Sequence, residues 1–271
     1  MKLFILFLFF IGQFSLIAQE SFLSYPTYIG DTRRPRFGFS YFNSFDSEIP
    51  KSSPNLVELQ VGATVPLWDL SLDDKKGLEF IFDGGFFGQF DLGYEKDNLG
   101  WDGWFAFHFA YRFLPSTAVK FAYRHLSSHL GDEYIQRTSR KRIGYTREDF
   151  TLAISQSLTS NIEFYLEYGW AFLLKKTQRY QHRNAIQAGI QFNESYKHGD
   201  SFNYYGGLDV QSFEDNSWEP NFSIEFGVNF PSKQYIRSYR VALLAYFGRA
   251  TIGEFSIHKE SYLGLGMWIN L

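Results

Sequence analysis

The chain has 271 residues, with 26 Lys plus Arg, 29 Asp plus Glu and a formal net charge of −3. This balance gives no reason to expect nucleic acid as a partner, because nucleic-acid binding requires a clustered basic face. The absence of cysteine excludes disulfides, thiolate zinc sites, iron–sulfur clusters and cysteine nucleophiles. Aromatic residues make up 20% of the chain and charged residues another 20%. This composition predicts either a Phe-rich core or a surface that is apolar on one side only.

The N-terminus has the pattern of an export signal. One basic residue precedes the apolar run Leu3–Ile17, and the small residue Ala18 follows it. The run is too short and too interrupted for a transmembrane helix. The sequence therefore predicts a secretory signal peptide over residues 1–18, cleaved near Ala18 or Gln19, and a single exported domain over residues 19–271.

The remaining sequence is dominated by alternation of large apolar residues with polar or small ones. In residues 162–172, for example, every second position is Ile, Phe, Leu, Tyr or Trp, and Glu, Tyr, Gly and Ala lie between them. A period of two places each set on one face of a β-strand. About twelve such segments, each of a length that suits a tilted membrane-spanning strand, begin near Phe37, Val57, Leu78, Gly103, Val119, Arg147, Ile162, Ile186, Phe202, Phe222, Tyr239 and Tyr262.

The connections between these segments alternate in length. Residues 114–117 and 158–161 form tight turns, whereas residues 129–144, 175–184 and 248–260 form long polar loops. Short turns at one end and long loops at the other are typical of outer-membrane barrels. The sequence thus predicts an all-β fold, an antiparallel transmembrane β-barrel of about 12 strands. It also predicts a location in the bacterial outer membrane, with both termini on the periplasmic side.

A soluble β-sandwich or barrel, with the apolar face as its core, is the alternative fold. The polar face favours the membrane barrel, because it carries the mixture of charged and small residues expected of a polar lumen. Both signs of charge occur there, which favours pairing within the lumen over a selective channel. The predicted charged lumen residues are Glu58, Glu79, Asp83, His108, Arg112, Lys120, Arg124, Asp149, Glu163, Glu167, Asp209, Glu225 and Arg240.

The fifth and sixth segments bring chemically active residues together. When their apolar bands are aligned as antiparallel strands, His125 lies opposite Glu148 on the outer face, and Arg124 lies opposite Asp149 in the lumen. Ser127 follows His125 on the same face. A serine nucleophile needs a base for its proton, and an imidazole base needs a carboxylate to hold its tautomer. This register therefore predicts a hydrolytic triad on the outer rim.

Three stretches resemble an uncharacterised family of exported bacterial barrels, domain of unknown function 1207. They are D-N-L-G-W-D-G-W-F-A-F-H-F-A-Y-R (Asp97–Arg112), R-H-L-S-S-H-L-G-D-E-Y (Arg124–Tyr134) and R-I-G-Y-T-R-E (Arg142–Glu148). This chain has Thr146 where the family pattern has Ser. The resemblance implies an exported barrel and carries no established activity.

The His-x-Ser pattern on a strand near the outer leaflet also resembles the outer-membrane acyl hydrolases, the phospholipase A and lipid A deacylase barrels. That resemblance implies that Ser127 is the nucleophile, His125 the base and Glu148 the residue that orients the base. The chain departs from the pattern at Ser128, where those enzymes have Asn.

Two other interpretations of these residues stay open. In the first, His125, Ser127 and His129 form the polar rim of a non-catalytic barrel, which is structural, a minor pore or a binding protein that acts through its loops. In the second, His129, Asp132 and Glu133 hold a divalent ion such as calcium.

The loop after the fifth segment contains a basic cluster, Arg137, Arg140, Lys141 and Arg142. The simplest interpretation of this cluster is a solvated face, which is also placed to meet anionic headgroups or lipopolysaccharide phosphate. The predicted partners are therefore outer-membrane lipids and lipopolysaccharide, with the barrel-assembly machinery during biogenesis.

Overall fold

The computed structural model describes residues 25–73, 76–176, 183–193, 201–232 and 238–270. The predicted signal peptide lies outside the described residues. Among the helices of the described residues, none is both long and apolar enough to cross a membrane.

Twelve strands and one α-helix make up the described fold. The strands are β1 (Phe37–Ser47), β2 (Asn55–Asp73), β3 (Lys76–Asp91), β4 (Asp97–Leu114), β5 (Thr117–Leu130), β6 (Thr146–Ser157), β7 (Ile162–Lys175), β8 (Asn184–Asn193), β9 (Asn203–Phe213), β10 (Pro220–Pro231), β11 (Ser238–Arg249) and β12 (Lys259–Asn270). Helix α1 (Asp132–Thr138) follows β5, and short 3-10 helices cover Glu214–Asn216 and Gly253–Phe255.

Each strand pairs antiparallel with its neighbours in sequence, and β1 pairs with β12 to close the barrel. The predicted antiparallel barrel of twelve strands is confirmed. Several strands begin earlier than their alternation indicated. For example, β4 begins at Asp97, opposite Asp91, rather than near Gly103, because its first residues extend the ladder with β3.

The exterior of the barrel is apolar and its interior is polar. Along β7 exposed and buried positions alternate, and the exposed ones are almost all large and apolar. The side chain of Leu152 on β6 is 61% exposed and that of Leu243 on β11 is 62% exposed. Because the barrel is closed, the backbone N–H and C=O groups of each strand have hydrogen-bond partners on the neighbouring strands, as a lipid environment requires. The described structure therefore has the surface of a membrane barrel.

Charged residues of the lumen pair with one another, as predicted from their mixed signs. Asp149 accepts hydrogen bonds from Arg124, at 2.9 Å from Nη2, and from Arg147, at 2.9 Å from Nε. Glu167 pairs with Lys120 at 2.8 Å and with Arg124 at 2.8 Å. Because the two carboxylates are buried, their charges are compensated by cationic side chains of the wall rather than by bulk water.

Residues 25–36, here called the inner segment, lie inside the barrel, a placement that the sequence analysis did not predict. Tyr28 stacks on Tyr165 of the wall with ring centroids 3.8 Å apart, and its hydroxyl donates to Glu167 at 2.9 Å. The amide of Ile29 donates to Gln191 at 2.8 Å. The segment therefore fills space that the strands leave open.

Three arginines attach the inner segment to the acidic wall. Arg34 and Arg36 both pair with Glu225, at 2.9 and 2.6 Å. Arg33 pairs with Asp102 at 2.8 Å, close to the end of the barrel that carries the long loops.

The connections β5–β6 (residues 131–145) and β11–β12 (residues 250–258) fold over that end, and we call them together the lid. The carboxylate of Glu254 accepts the amides of Ile143 at 2.8 Å and Gly144 at 2.7 Å, which joins the two connections. Phe255 packs edge-on against Tyr134 of α1, with ring centroids 5.3 Å apart. The two connections of the lid are thus a packed unit and not simply solvated.

The predicted basic cluster is divided by this packing, so its interpretation as one solvated face is wrong. Arg137 donates to Asp97 at 2.9 Å, and Arg140 donates to the carbonyl of Glu254 at 3.2 Å. Lys141 and Arg142 remain exposed.

The pairing of charges inside the barrel can be tested by removing a buried carboxylate from the wall. We expect Asp149→Ala to lower the free energy of unfolding by ~3–5 kcal/mol, because it removes the buried carboxylate that Arg124 and Arg147 share. The measurement is urea unfolding of the refolded barrel in detergent. The matched control is Thr151→Ala, a buried wall position two residues further along β6. A loss no larger than that of the control contradicts the assignment.

The lid contains a pH-dependent contact. Arg140 Nη1 lies 3.0 Å from His258 Nε2, so the imidazole accepts this hydrogen bond in its neutral form. Burial, and then the charge of Arg140, lower the pKa of His258. The opened lid binds the proton more tightly than the closed lid, so closure is favoured above about pH 6.5 and weakens as the pH falls below that value.

We therefore expect hydrogen exchange at the amides of Ile143 and Gly144 to accelerate as the pH falls below about 6.5, beyond the intrinsic pH effect. In His258→Gln this additional acceleration should be absent. The same pH response in both proteins would rule out His258 as its origin.

Candidate functional site

The predicted register of β5 and β6 is confirmed, and it places His125 opposite Glu148. His125 Nδ1 lies 2.7 Å from Glu148 Oε1. The same register sets Arg124 opposite Asp149 on the inner face. Adjacent residues of each strand therefore form one hydrogen-bonded pair outside the barrel and one ion pair inside.

Aromatic residues hold the outer pair in position. The ring of Phe105 on β4 stacks against the His125 imidazole, with centroids 4.8 Å apart. The hydroxyl of Tyr123 donates to Glu148 Oε2 at 2.5 Å. Both side chains of the pair are half-buried, with relative accessibilities of 23% for His125 and 18% for Glu148. The imidazole plane is thus fixed by stacking and by a carboxylate that is itself held.

Ser127 lies on the same outer face, between Gly103 of β4 and Thr146 of β6. A Cβ atom at position 103 would be 3.5 Å from Ser127 Oγ, so the glycine leaves the hydroxyl open on that side. Within the part of the chain that the structure describes, no hydrogen bond joins Ser127 to His125. Residues two apart on a strand are ~6.6 Å apart at Cα, which is within reach of side-chain rotation.

Ser128 belongs to the opposite face. It is buried, and its hydroxyl accepts the amide of Glu254 in the lid at 2.8 Å. The position at which the chain departs from the acyl hydrolase pattern is therefore a contact between the wall and the lid.

The structure does not bring together the three residues predicted as a metal site. His129 stacks against Trp101 with centroids 4.2 Å apart, whereas Asp132 and Glu133 are exposed in the first turn of α1. Asp132 pairs with Arg142 at 3.2 Å. In the described ranges no group of three or more His, Cys, Asp or Glu is arranged to hold a metal ion.

Sequence reasoning missed the roles of Tyr123 and Phe105. The alternation placed Tyr123 on the lipid-facing side and gave Phe105 no role, yet they contact the carboxylate and the imidazole of the outer pair. The alternation of faces along β5 could have indicated the role of Tyr123, because it precedes His125 by two positions and therefore lies on the same face.

A closed barrel with an apolar exterior and a polar lumen defines an outer-membrane-type β-barrel. Two solved structures are similar over nearly their whole length. The calcium-bound dimer of the outer membrane phospholipase of Salmonella typhi has a TM-score of 0.61 and 13% identity, covering 95% of this chain and 96% of that chain. An active-site mutant of the outer membrane phospholipase A of Escherichia coli has a TM-score of 0.63 and 12% identity, with the same coverage. At these identities the likeness concerns the fold alone.

The chain belongs to the family described as "Protein of unknown function (DUF1207)", whose model matches residues 16–270. The resemblance seen in the sequence is thereby confirmed. No curated protein matches the sequence.

The tautomer of His125 can be tested directly. Because a carboxylate accepts hydrogen bonds, we expect Nδ1 to carry the proton and to donate it to Glu148. Nitrogen-15 NMR of the refolded barrel should then report a protonated Nδ1 at His125, and Glu148→Ala should weaken that preference. An Nε2-protonated ring in the unsubstituted barrel contradicts the geometry.

Proposed function

We propose that the protein resides in the outer membrane and hydrolyses acyl esters of lipids, with Ser127 as its nucleophile. The observation that carries the proposal is the hydrogen bond between His125 and Glu148, which lies beside Ser127 on the lipid-facing side of the barrel.

The location of this pair favours a functional role over a structural one. On β5 and β6 the outward positions below the pair include a continuous apolar band of Val119, Phe121, Leu152 and Ile154. Ionisable residues on a lipid-facing surface are costly unless they lie at the interface, and they commonly mark functional sites. Aromatic side chains around the pair, including Trp101, suit the boundary between headgroups and acyl chains.

In the proposed first step, Ser127 Oγ attacks the carbonyl carbon of the ester and transfers its proton to His125 Nε2. The resulting imidazolium donates from Nδ1 to Glu148, whose carboxylate stabilises the new positive charge. Rotation of the Ser127 and His125 side chains closes the gap between them when substrate binds, since catalytic hydrogen bonds are commonly long before substrate arrives.

In the second step, the tetrahedral intermediate expels the alcohol, which takes the proton from His125 Nε2 and leaves an acyl ester on Ser127. Water then attacks that ester and gives a proton to His125. When the second tetrahedral intermediate collapses, the bond to Ser127 Oγ breaks, His125 returns the proton to this oxygen, and the carboxylic acid leaves. Phe105 and Tyr123 keep the imidazole and the carboxylate aligned through both steps.

The position of the site suits an acyl chain that stays in the lipid. The apolar band that includes Phe121 and Leu152 runs directly below the pair and would contact the chain. Above it, Lys175 lies opposite Thr146 and is exposed, so its ammonium group is placed for a headgroup phosphate. The proposed substrates are therefore phosphate-bearing lipids, either phospholipid or lipopolysaccharide.

Calcium has no part in this proposal. The phospholipase of Salmonella typhi holds calcium, but the candidate ligands of this chain are dispersed, with His129 stacked on Trp101 and Asp132 paired with Arg142. These residues do not fit a calcium site, so no catalytic step is assigned to a metal ion.

A second candidate function is a non-catalytic barrel in which the outer polar residues contact headgroups. It is favoured by one observation, the absence of a hydrogen bond between Ser127 and His125 among the described residues.

Hydrolysis of phospholipid and of lipid A by the refolded barrel in detergent separates the two candidates. We expect Ser127→Ala to lower kcat by about 10³-fold or more, and Glu148→Gln by about 10²- to 10⁴-fold, because each removes a member of one catalytic unit. Ser128→Ala is the matched control. It also replaces a serine by alanine, but on the opposite face of β5, and should keep most of the activity.

Folding of each variant is checked by the heat-dependent shift in gel mobility that barrels show. Activity that survives in folded Ser127→Ala, or no hydrolysis by the unsubstituted barrel with or without added calcium, would favour the non-catalytic barrel.

A further inference from the structure

We infer that the inner segment is a releasable plug, and that the barrel conducts small cations when the segment leaves the lumen. This inference does not depend on the outward-facing site, because its residues lie on the other face of the wall.

The inner segment divides the free volume of the lumen. One cavity, of about 70 Å³, lies beside Tyr28, His108 and Lys120, and another, of about 100 Å³, lies beside Tyr145 and Gln187. The residues that border both cavities include Asp31 and Arg33 of the inner segment and Trp104, Arg124 and Glu167 of the wall. The segment thus lines both spaces, and the lumen would have more free volume without it.

Side chains, and not a shared backbone ladder, hold the segment in place. Its backbone–backbone hydrogen bonds are internal, from Asp31 to Tyr28 and from Arg34 to Asp31. Across the described residues, no backbone–backbone hydrogen bond joins it to a strand. Leaving the lumen therefore breaks no ladder of the barrel, and water can replace the ion pairs and side-chain hydrogen bonds that are lost.

The wall provides room for the backbone of the segment. A Cβ atom at Gly207 would lie 2.8 Å from the amide nitrogen of Gly30 and 3.0 Å from Ile29 Cβ. On the other side, a Cβ atom at Gly62 would lie 3.2 Å from the amide nitrogen of Arg36. Larger side chains at these wall positions would push the segment away, so the wall and the segment fit each other closely.

Charge determines which ions would pass. The segment contains three arginines and one aspartate, and its arginines pair with Glu58, Asp102 and Glu225 of the wall. The cations Lys120, Arg124 and Arg147 of the wall already pair with wall carboxylates. Release of the segment therefore leaves additional negative charge along the lumen, which favours cations.

Arg33 connects release of the segment to the lid. Its guanidinium donates both to Asp102 and to the carbonyl oxygen of Thr251, and Asp102 also accepts the amide of Gly253 at 3.2 Å. When Arg33 leaves, the β11–β12 connection loses one of its contacts with the lumen. Release of the segment would thus open the lumen and also weaken the attachment of the lid.

Conductance of the full-length barrel in planar bilayers of neutral phosphatidylcholine tests the inference. The triple variant Arg33→Ala, Arg34→Ala, Arg36→Ala should raise the open fraction in KCl by about tenfold or more. A tenfold change in the equilibrium between the closed and open forms corresponds to only ~1.4 kcal/mol of free energy. In a KCl gradient its reversal potential should indicate preference for K⁺ over Cl⁻.

A disulfide lock supplies the matched control, because the chain has no cysteine of its own. Ile29→Cys and Gly207→Cys, added to the triple variant, place the two Cβ atoms 3.0 Å apart. A shift of the segment by roughly 0.5 Å, which the new side chain at position 207 itself favours, brings them to the separation of roughly 3.5–4.5 Å that a disulfide needs. The oxidised form should be closed, and addition of reductant should restore the open fraction of the triple variant.

A second release variant keeps the inference testable if the triple variant does not fold. Gly30→Leu acts within the segment, because a Cβ atom there would lie 2.9 Å from the amide nitrogen of Asp209 in the wall. Folded release variants that conduct no more than the unsubstituted barrel, or that prefer anions, would overturn the inference. A lock variant that conducts equally when oxidised and reduced would also overturn it.

Discussion

The pairing of β1 with β12 is the interaction on which the rest of the structure depends. An apolar exterior can face lipid only if the backbone groups of every strand are paired within the protein, because the hydrocarbon region offers no water to replace a missing partner. The ladder that begins with Phe37 opposite Ile269 removes the last two strand edges. Once the sheet is closed, alternation sends one face of each strand to lipid and the other to the lumen.

Closure also determines the electrostatics of the interior. Carboxylates and cations that alternate along the strands are gathered into a narrow space, where an uncompensated charge would be costly. Wall pairs such as Arg124 with Asp149 solve part of this problem. The arginines of the inner segment solve another part, because Glu225 has two of them as partners. The filling of the lumen is therefore a consequence of its charge as well as of its volume.

The candidate site and the lumen share one structural determinant, the register of β5 against β6. Adjacent residues on a strand point to opposite faces, so the pairing that joins Arg124 to Asp149 inside also joins His125 to Glu148 outside. A shift by one residue would destroy both pairs at once. The buried inner pair thus stabilises the register on which the half-buried outer pair depends. It also explains how a polar site can be held in a fixed geometry on a lipid-facing surface.

The sequence by itself determined the strands, their faces, the closed architecture and the opposition of His125 and Glu148. All of these follow from local periodicity and from the alignment of apolar bands between neighbouring strands. Tertiary structure alone decided the position of the inner segment and the packing of the lid. Residues 25–36 have no strand period, and their partners, such as Asp102 and Glu225, are scattered along the chain. Gly144 likewise meets Glu254, 110 residues away. Contacts of this kind exist only after closure of the barrel brings distant residues together, so no local pattern encodes them.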